Sequence, residues 1–526
     1  MNAPTVDARG RTLLEPAEAL ARGMGLAVHA RRAPDRMAIE DRQGVHSFAA
    51  VNGRVNRLAR ALRARGLEAG DAVALLCSNR VEFVEVYAAA LRAGLRITPI
   101  NWHLTGEEAG YIVDDCEARA FVGEVRFAEV CAEIVRHAPR ATERLAIGGA
   151  VEGFEGYEEA LSGQDPSDLA DPVLGGSMLY TSGTTGRPKG VYRRQAPRGS
   201  LAGPLGASAG FRPETDVALV TGPLYHAAPL GINLAVPFGA GVGCVLMDGW
   251  DAEATLRWIH ERRITHSHLV PTMFHRMLQL PEQVRRRYDC SSMRWAVHGA
   301  APCPVHVKQA MIDWWGPVLF EYYAATEGGG FWIDSHEWLE KPGSVGHVAP
   351  DRMTVRLLDD TGADVAPGEI GTVYFAAPEV GRFEYFKAKE KTEAAYRGDF
   401  FTMGDLGRVD EDGYLFLTGR SAELIISGGV NIYPAEIDDV LLRHPAVHDV
   451  ATIGVPDDEW GEQVKAVVQP AAGATPDDAL ADELIAFCRE HLARYKCPRS
   501  VDFSPDLPRL DSGKIQRRKV RDRYLG

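Results

Sequence analysis

The feature that most constrains the fold is a regular alternation of helix-type and strand-type segments in the first third of the chain. In VNGRVNRLARALRARG, the apolar residues recur at the spacing of one helix face (Val51, Val55, Leu58 and Leu62). Two glycines end that pattern, and the apolar run AVALL at 72–76 predicts a short buried strand. Further segments predict, in turn, a helix, a strand, a helix and a strand (about 80–93, 95–100, 106–115 and 118–123). Such alternation predicts an α/β fold, with helices covering a mostly parallel sheet.

The later part of the chain has a different texture. Beyond residue 341, short apolar runs alternate with polar turns, which predicts a small β-rich, barrel-like subdomain at about 341–420. After Arg420 the pattern is mixed again: the expected helices and strands are 434–444, 478–492, 449–453 and 464–469. With 526 residues, the chain is long enough for three or four domains or subdomains. We therefore expect a large N-terminal domain (1–420) and a smaller C-terminal α+β domain (421–526).

Composition restricts the class of protein. A chain that is 45% hydrophobic and 25% charged is typical of a soluble globular protein. Its net charge of −14 argues against nucleic acid as a partner, although a local basic cleft can still bind an anion. The eight cysteines are scattered without metal-ligand spacing, which favours reduced, mostly buried thiols (Cys77, Cys116, Cys131, Cys244, Cys290, Cys303, Cys488 and Cys497). The first twenty residues lack the apolar region of a secretory signal, so a cytoplasmic location is expected.

One uncharged segment, residues 227–247, is long enough to span a bilayer. It contains Pro229, Asn233, Pro237 and several glycines, which suit a lone membrane helix poorly, so we predict a buried helix that runs into a strand. The GAGVGC stretch inside it has the wrong spacing for a dinucleotide fingerprint and is interpreted as a close-packed turn.

The stretch YTSGTTGRPKGV (180–191) combines hydroxyl side chains, glycines and a lysine. Exposed amides, hydroxyls and an ammonium group are what polyphosphate binding requires. The usual phosphate loop, G-x-x-x-x-G-K-[ST], does not match, because Lys189 follows Pro188 and precedes Gly190. A polar surface turn is the alternative. The preceding SMLY (177–180) is predicted to be a strand, and strand ends are where α/β sheets bind ligands.

Four further stretches occur in order after the first: EYYAATEGGG (321–330), FFTMGDLGRVDEDGYLFLTGR (400–420), SGGVNIYPAEI (427–437) and LPRLDSGKIQRRKV (507–520). Together with 180–191 they resemble the core motifs of the adenylate-forming superfamily, which contains acyl- and aryl-CoA synthetases, adenylation domains and luciferases. The resemblance covers nearly the whole chain. It implies that a carboxylate attacks the α-phosphate of ATP. Because both groups are anions, the site must supply cations and hydrogen-bond donors where the negative charge of the transition state concentrates.

The resemblance assigns the phosphate and metal contacts. The loop that grips the β- and γ-phosphates matches Thr181, Ser182, Gly183, Thr184, Thr185, Gly186 and Lys189. Glu327 matches the carboxylate that holds Mg²⁺, a hard cation that favours oxygen ligands, and Thr181 is the second expected metal ligand. Thr326 would contact the α-phosphate.

The resemblance also assigns the adenosine contacts. Tyr323 would stack on adenine, and the other residues expected around the base are Gly299, Ala300, Ala301, Glu321, Tyr322 and Ala324. Ala324 stands where the family has glycine, which affects the expected pocket shape. Asp405 matches the aspartate that accepts from both ribose hydroxyls, a role suited to a bidentate acceptor, and Arg420 matches an arginine that reaches the nucleotide.

Lys514, in DSGKI, matches the catalytic lysine that bridges the carboxylate and the α-phosphate. Without the resemblance, the basic tail around it would be interpreted as a solvated face (Arg509, Lys514, Arg517, Arg518 and Lys519). For the thiol step, the resemblance implies a mobile C-terminal domain that removes Lys514 and brings Gly428 and Gly429 to the pantetheine chain. Ala422 departs from the Asp or Lys that is usual at the pivot, which leaves the hinge energetics open.

His226 stands where amino-acid-activating relatives have an aspartate for the substrate ammonium, so a plain carboxylic acid is favoured. His226 could position that carboxylate or gate the thiol tunnel; a merely packed histidine is the alternative. The expected pocket walls are His226, Ala227, Ala228, Met273, His298, Gly328, Gly329 and Gly330. Their small residues favour a long fatty acid or a bulky cyclic or aromatic acid over acetate.

These features predict an AMP-forming acid–CoA ligase that uses ATP, Mg²⁺ and coenzyme A. Two alternatives stay open at this point: an acyl-AMP ligase that delivers its product to a carrier protein, and a non-catalytic nucleotide-binding protein. The second alternative predicts loss of Lys514 or Glu327, and both are present. The identity of the acid and the oligomeric state stay open at this point, and a homodimer is one of the assemblies considered.

Overall fold

A computed structural model of the chain describes residues 15–181, 188–194, 202–348, 354–427, 430–457, 459–510 and 513–525. The chain forms two compact units. The first comprises the chain up to His268 together with Arg286–Trp295 and Pro378–Thr392. The second comprises Leu269–Arg285, Ala296–Ala377 and the chain from Glu393 onward. Among the described residues, no helix has the length and apolar character needed to cross a membrane.

The α-helices of the described residues are numbered in chain order. They are α1 (Pro16–Ala21), α2 (Gly25–Arg32), α3 (Phe48–Ala64), α4 (Val81–Arg92), α5 (Gly106–Asp115), α6 (Ala128–His137), α7 (Tyr157–Leu161), α8 (Ala202–Ser208), α9 (Val236–Gly239), α10 (Ala252–Arg262), α11 (Pro271–Leu278), α12 (Glu282–Arg285), α13 (Val305–Trp315), α14 (Ser335–Glu340), α15 (Lys389–Ala395), α16 (Pro434–Leu441), α17 (Asp478–His491) and α18 (Arg517–Asp522).

The strands of the described residues are numbered in the same way. They are β1 (Met37–Asp41), β2 (Gly44–Ser47), β3 (Ala72–Leu76), β4 (Arg96–Pro99), β5 (Ala118–Glu124), β6 (Glu143–Ile147), β7 (Glu155–Gly156), β8 (Gly176–Ser177), β9 (Leu179–Thr181), β10 (Lys189–Tyr192), β11 (Val217–Val220), β12 (Gly243–Leu246), β13 (His266–Leu269), β14 (Trp295–His298), β15 (Leu319–Ala325), β16 (Gly328–Asp334), β17 (Gly346–His347), β18 (Val355–Leu358), β19 (Gly371–Ala376), β20 (Glu384–Tyr385), β21 (Tyr396–Arg397), β22 (Phe400–Val409), β23 (Tyr414–Arg420), β24 (Ile425–Ser427), β25 (Val430–Ile432), β26 (Val447–Asp457), β27 (Gly461–Pro470) and β28 (Ser500–Phe503).

The first unit contains the predicted parallel sheet. Its strands lie in the order β7-β6-β5-β3-β4-β8, and every neighbouring pair is parallel. All five residues of β3 are buried, as the run AVALL predicts, and its apolar side chains share a core with those of α3. The Ser47 hydroxyl caps α3 by accepting from the amide of Ala50. The predicted α/β alternation is confirmed here.

The strand predicted at 177–180 is wrong as a single element. Gly176 and Ser177 pair in parallel with β4, whereas Leu179–Thr181 pairs antiparallel with β10. Met178 lies between them and is fully buried. The chain therefore leaves the parallel sheet before the Thr/Ser/Gly-rich stretch, and that stretch connects two strands of a small antiparallel sheet in the order β20-β10-β9.

The uncharged segment 227–247 is a buried helix that runs into a strand, as predicted. A wide π-helical turn (Pro229–Ala235) continues into α9, and the chain then enters β12. Pro229 stands at the start of the π-helical turn, where a missing amide hydrogen costs little, whereas Pro237 lies at the junction at which that turn continues into α9. The strands next to this segment lie in the order β13-β11-β12-β1-β2.

The second unit contains three groups of strands. β14 pairs in parallel with β15, and β15 pairs antiparallel with β16. The predicted β-rich region forms an antiparallel sheet in the order β17-β23-β22-β19-β18, with β21 beside β22. The last sheet has the order β25-β24-β27-β26, with β28 parallel to β27.

The elements predicted in the last hundred residues are confirmed. Helices α16 and α17 pack against the last sheet around Ile437, Leu441 and Leu484, and strands β26 and β27 extend beyond the predicted runs. The domain boundary at residues 420 and 421 stays a prediction. All eight cysteines are free thiols, and all but the half-buried Cys303 are buried.

Candidate active site

The phosphate-loop candidate is the connection between β9 and β10. Thr181 and Lys189 stand directly opposite each other in the register of this antiparallel pair. The Lys189 ammonium lies 4.8 Å from the centre of the Tyr385 ring, a contact in which the ring face stabilises the cation. Sequence reasoning missed Tyr385, since nothing local signals that β20 pairs with β10. Ser182, Gly183, Thr184, Thr185 and Gly186 lie outside the described residues.

His226, Ala227 and Ala228 also belong to the first unit and immediately precede the π-helical turn. The centre of the His226 ring lies 4.5 Å from that of Tyr225, and the Trp102 ring packs nearly perpendicular to the same tyrosine at 6.1 Å. His226 is thus held within an aromatic group that the sequence did not indicate. Its role toward a substrate stays a prediction.

The adenine-contact candidates of the second unit lie at the carboxyl ends of two parallel strands. His298 and Glu321 are register partners on β14 and β15, so Gly299–Ala301 follow the end of β14 beside Tyr322–Ala324, the part of β15 that extends beyond this pairing. A Cβ on Gly299 would lie 2.5 Å from the Tyr322 carbonyl oxygen, so no side chain fits there. Ala300 has φ +67°, a strained conformation for alanine of the kind that concentrates at ligand sites.

Asp405, the candidate ribose ligand, contacts two other predicted nucleotide residues, Tyr323 and Arg420. The Tyr323 hydroxyl donates to Asp405 Oδ2 at 2.8 Å, and Arg420 Nε lies 2.9 Å from Oδ1. Asp405 and Arg420 are register partners on β22 and β23. Burial, together with the neighbouring carboxylate, raises the pKa of Tyr323 well above its usual value, so this phenol stays a donor. Because each carboxylate oxygen has two lone pairs, Asp405 can still accept from ribose hydroxyls.

The Thr326-Glu327 pair forms the two-residue turn between β15 and β16, where Ala325 and Gly328 pair across the strands. Ala324 lies in a bulge before this turn and is not among the residues with positive φ, so alanine replaces the family's glycine there without backbone strain. Gly329 has φ +73°, and a Cβ on it would lie 3.0 Å from the Phe375 ring. Gly329 is therefore required by its backbone conformation and by its packing against Phe375, so it is weaker evidence for a large acid pocket than the sequence suggested.

Glu321 and His298 belong to a buried ionic cluster under these strands. The fully buried Lys308 ammonium donates to Glu321 Oε2 at 2.7 Å, and His298 Nε2 lies 3.8 Å from the same oxygen. The Lys308 ammonium also lies 4.6 Å from the centre of the Trp338 ring. Met273 is buried as well, and the adjacent Phe274 ring packs edge-on against His298. The cluster links β14 and β15 to α13 through His298, Glu321 and Lys308. The role of Lys308 was not predicted from the sequence.

Lys514 belongs to the second unit together with Asp405 and Arg420. Burial and the positive charge of Arg420 lower the pKa of Lys514 to about 8, against the raising effect of the Glu423 and Asp405 carboxylates. The structure thus brings four of the predicted nucleotide residues into one electrostatic group: Tyr323, Asp405, Arg420 and Lys514.

The basic tail is only partly a solvated face. Arg518 and Lys519 are exposed, but Arg517 is mostly buried and pairs with Glu423 at 3.0 Å and with Asp438. The alternative interpretation as a solvated face therefore does not hold for Arg517, because its guanidinium bridges two carboxylates that are distant in sequence. Ala422 lies in the 3₁₀ turn Ser421–Glu423, and Gly428 and Gly429 lie outside the described residues.

Among the described residues, no group of three or more His, Cys, Asp or Glu side chains could hold a metal ion. Mg²⁺ in nucleotide enzymes is commonly held by one or two carboxylates together with substrate phosphates, so a lone glutamate does not conflict with such a site. Glu327, on its turn at the strand ends, has the right donor chemistry for that arrangement.

Known proteins resemble this chain over nearly its whole length. A feruloyl-CoA synthase of an Amycolatopsis species is 35% identical and an indoleacetate–CoA ligase of Aromatoleum aromaticum is 34% identical, each over 94% of this chain and at least 96% of its own length. Among solved structures, an anthranilate CoA ligase, AuaEII, in complex with anthranoyl-AMP superposes with a TM-score of 0.85 at 26% identity, covering 97% of this chain and 99% of that one.

ATP-bound MatB from Rhodopseudomonas palustris superposes with a TM-score of 0.79 at 31% identity, covering 95% of this chain and 99% of MatB. The profile of the AMP-binding enzyme family matches residues 26–383, and that of the AMP-binding enzyme C-terminal domain matches residues 436–514. With both profiles matched in order along one chain, this protein belongs to the AMP-binding enzyme family and is an AMP-forming enzyme of the acyl-CoA synthetase branch of the adenylate-forming superfamily.

Proposed function

We propose that the chain joins a bulky aromatic or aryl-substituted carboxylic acid to coenzyme A at the expense of ATP. In the first step, a carboxylate oxygen attacks the α-phosphorus, the bond to the β-phosphate bridging oxygen breaks, and pyrophosphate leaves. In the second step, the thiol sulfur attacks the acyl carbon, the bond to the AMP oxygen breaks, and the thiol proton is lost to solvent. The products are the acyl thioester, AMP and pyrophosphate.

The observation that carries this proposal is the Asp405–Arg420 ion pair, with Nε 2.9 Å from Oδ1, whose charges both act on the pKa of the Lys514 ammonium. Two anions meet in the first step, and a preorganised cation lowers the cost of that meeting. With a pKa of about 8, Lys514 is mostly protonated at pH 7, so it can stabilise charge on the α-phosphate and on the incoming carboxylate. Asp405 and Tyr323 would hold the ribose and the base.

The phosphate-binding role of Thr181, Lys189 and the residues between them also belongs to this proposal. Facing positions of Thr181 and Lys189 at the base of the connection support it. When Mg²⁺ is bound, it would be held by Glu327, with Thr181 as the second expected ligand, and would neutralise phosphate charge. His226, Ala227, Ala228, Met273, His298 and Gly328–Gly330 stay predictions as pocket walls.

The acid class is supported by the relatives named above, which act on ferulate, indoleacetate and anthranilate according to their names. A long-chain fatty acid is the second candidate, because a long-chain-fatty-acid–CoA ligase of Mycobacterium tuberculosis is 33% identical over 91% of this chain. A fatty acid–acyl-carrier-protein ligase of Streptomyces coeruleorubidus, 31% identical over 95% of this chain, keeps a carrier protein as the alternative acceptor.

A substrate screen tests the proposal. Purified enzyme, ATP and Mg²⁺ are incubated with hydroxycinnamic, arylacetic, aminobenzoic and C8–C18 fatty acids. Acyl-AMP is trapped with hydroxylamine, and thioester is measured by mass spectrometry after addition of coenzyme A or of a holo-carrier protein. We expect an aromatic acid to give the highest rate and coenzyme A to be the acceptor. Acylation of the carrier protein alone, or turnover restricted to fatty acids, would contradict the proposal.

A further inference from the structure

The backbone around Lys514 forms a tight turn. We call residues 509, 510 and 513–515 the lysine turn. The Leu510 amide donates to the Lys514 carbonyl at 2.8 Å, the Gly513 amide donates to the Leu510 carbonyl at 2.7 Å, and Arg509 pairs with Ile515 across the turn. Ile515 is buried in the apolar cluster of β26 and α18. The turn is thus anchored at its base, and its Gly513 carbonyl accepts from the side chains of Arg509 and Thr272.

Arg509 ties the turn to the last sheet. Its guanidinium makes a two-pronged contact with Asp449 on β26, with Nε 2.7 Å from Oδ2 and Nη2 2.5 Å from Oδ1. The register of β26 and β27 shifts between Val447 and Asp449, and such irregularities can change the direction of a strand side chain. The remaining nitrogen, Nη1, donates to the Gly513 carbonyl oxygen at 2.5 Å. Paired contacts of this kind fix orientation as well as distance.

Thr272, in the first turn of α11, contacts the same carbonyl oxygen. The Thr272 hydroxyl donates to Gly513 O at 3.2 Å, and Arg509 Nη1 lies 3.3 Å from the hydroxyl oxygen. One turn further along α11, the His275 ring nitrogen Nε2 lies 3.1 Å from the His448 carbonyl oxygen, next to Asp449 in sequence. Helix α11 therefore contacts both the lysine turn and the strand that holds Arg509.

Gly513 fits this contact because it has no side chain. Its φ is +76°, and a Cβ would lie 2.9 Å from Val270 Cγ2 and 3.2 Å from the Thr272 hydroxyl oxygen. Its carbonyl oxygen, which belongs to the peptide unit that leads into Lys514, accepts from both Arg509 and Thr272. Two donors on one oxygen restrict the plane of that peptide, and the direction of the Lys514 side chain depends on that plane.

We propose that Arg509 and Thr272, with Asp449 behind them, are positioning residues for Lys514 in the adenylation step. This inference rests on the proposed role of Lys514. The three residues act through the Gly513 carbonyl, which they hold so that the ammonium lies in the group formed by Arg420 and Asp405. Small displacements of a catalytic group can cost about 100-fold in rate, so loss of one donor should slow adenylation strongly.

The test separates the two half-reactions. Adenylation is measured as acid-dependent ATP–pyrophosphate exchange, and the thiol step as thioester formation from supplied acyl-AMP and coenzyme A. The variants are Thr272→Val, Thr272→Ser and Arg509→Lys. The control is Thr361→Val, which removes an exposed threonine hydroxyl bonded to Asp359 and far in sequence from the lysine turn.

We expect Thr272→Val and Arg509→Lys to slow adenylation about 10- to 100-fold while the thiol step stays within about twofold of wild type. Thr272→Ser retains the hydroxyl and should stay within about threefold, and Thr361→Val should match wild type. A preserved thiol step shows that a variant is folded, so a purely structural defect would instead slow both steps. Equal loss in both steps, or adenylation at the wild-type rate in Thr272→Val and Arg509→Lys, would overturn the inference.

Lys514→Ala distinguishes failure of this inference from failure of the proposed function. If Lys514→Ala loses adenylation but Thr272→Val and Arg509→Lys retain it, only the positioning role is overturned. If Lys514→Ala retains adenylation, the proposed role of Lys514 and the positioning inference are both overturned.

Discussion

Replacing Lys308 by methionine should destabilise the second unit more than any surface change. Lys308 is fully buried on α13, its ammonium lies 2.7 Å from Glu321 Oε2, and Trp338 covers it at 4.6 Å. Methionine fills a similar volume but leaves the Glu321 carboxylate buried without its cation. Breaking a buried pair in this way costs about 3–5 kcal/mol of the free energy of unfolding. For a unit of this size, that corresponds to a fall in Tm of about 10 °C.

The assay is thermal unfolding of purified variants followed by intrinsic fluorescence. Lys308→Met with Glu321→Gln removes both charges and should recover most of the loss, because no uncompensated charge remains. Arg356→Met breaks an exposed ion pair with Asp364 and should barely change Tm. A fall below about 2 °C for Lys308→Met, or a double variant as unstable as the sum of its single variants, would refute the reasoning.

Three further variants test the nucleotide group. Tyr323→Phe removes the 2.8 Å bond to Asp405 and should lower kcat/KM for ATP about tenfold, because a hydrogen bond to a charged group contributes about 1.5–3 kcal/mol; an unchanged value would argue against Asp405 as a ribose ligand. Gly299→Ala, whose Cβ would meet the Tyr322 carbonyl, should abolish ATP binding in equilibrium titration and should also weaken the use of supplied acyl-AMP, which carries the same adenine; ATP binding at the wild-type affinity would contradict the adenine assignment. Glu423→Gln removes a carboxylate that raises the pKa of Lys514, so the ammonium should lose its proton at lower pH. The fall of the adenylation rate with rising pH, expected near pH 8 in wild type, should therefore occur at lower pH in the variant. A fall at higher pH would contradict the assignment.

The α/β alternation was predictable because helix and strand periodicity are local properties, and both the parallel sheet with its buried β3 and the helices α16 and α17 were confirmed. Register was not predictable. Which strands pair decides that Thr181 lies opposite Lys189, and it also decides that residues 177–180 are divided between two sheets. Strand pairing joins residues that are distant along the chain, so local patterns do not reveal it.

The site motifs were visible in the sequence, but their supports were not. Lys308 and Tyr385 have ordinary surroundings in the sequence, and Arg509 and Arg517 lie in a motif that does not reveal their partners. Each of the four is defined by a partner at a distance along the chain, such as Glu321 for Lys308. The left-handed conformation of Ala300 had no signal at all, because alanine does not favour positive φ.

Transfer of a labelled oxygen tests the adenylate mechanism most directly. A carboxylic acid substrate with ¹⁸O in both carboxylate oxygens is turned over with ATP, Mg²⁺ and coenzyme A, and the AMP is analysed by mass spectrometry. Attack of the carboxylate on the α-phosphate predicts one ¹⁸O atom in each AMP released and none in pyrophosphate. Unlabelled AMP, or label in inorganic phosphate with ADP as the nucleotide product, would contradict it.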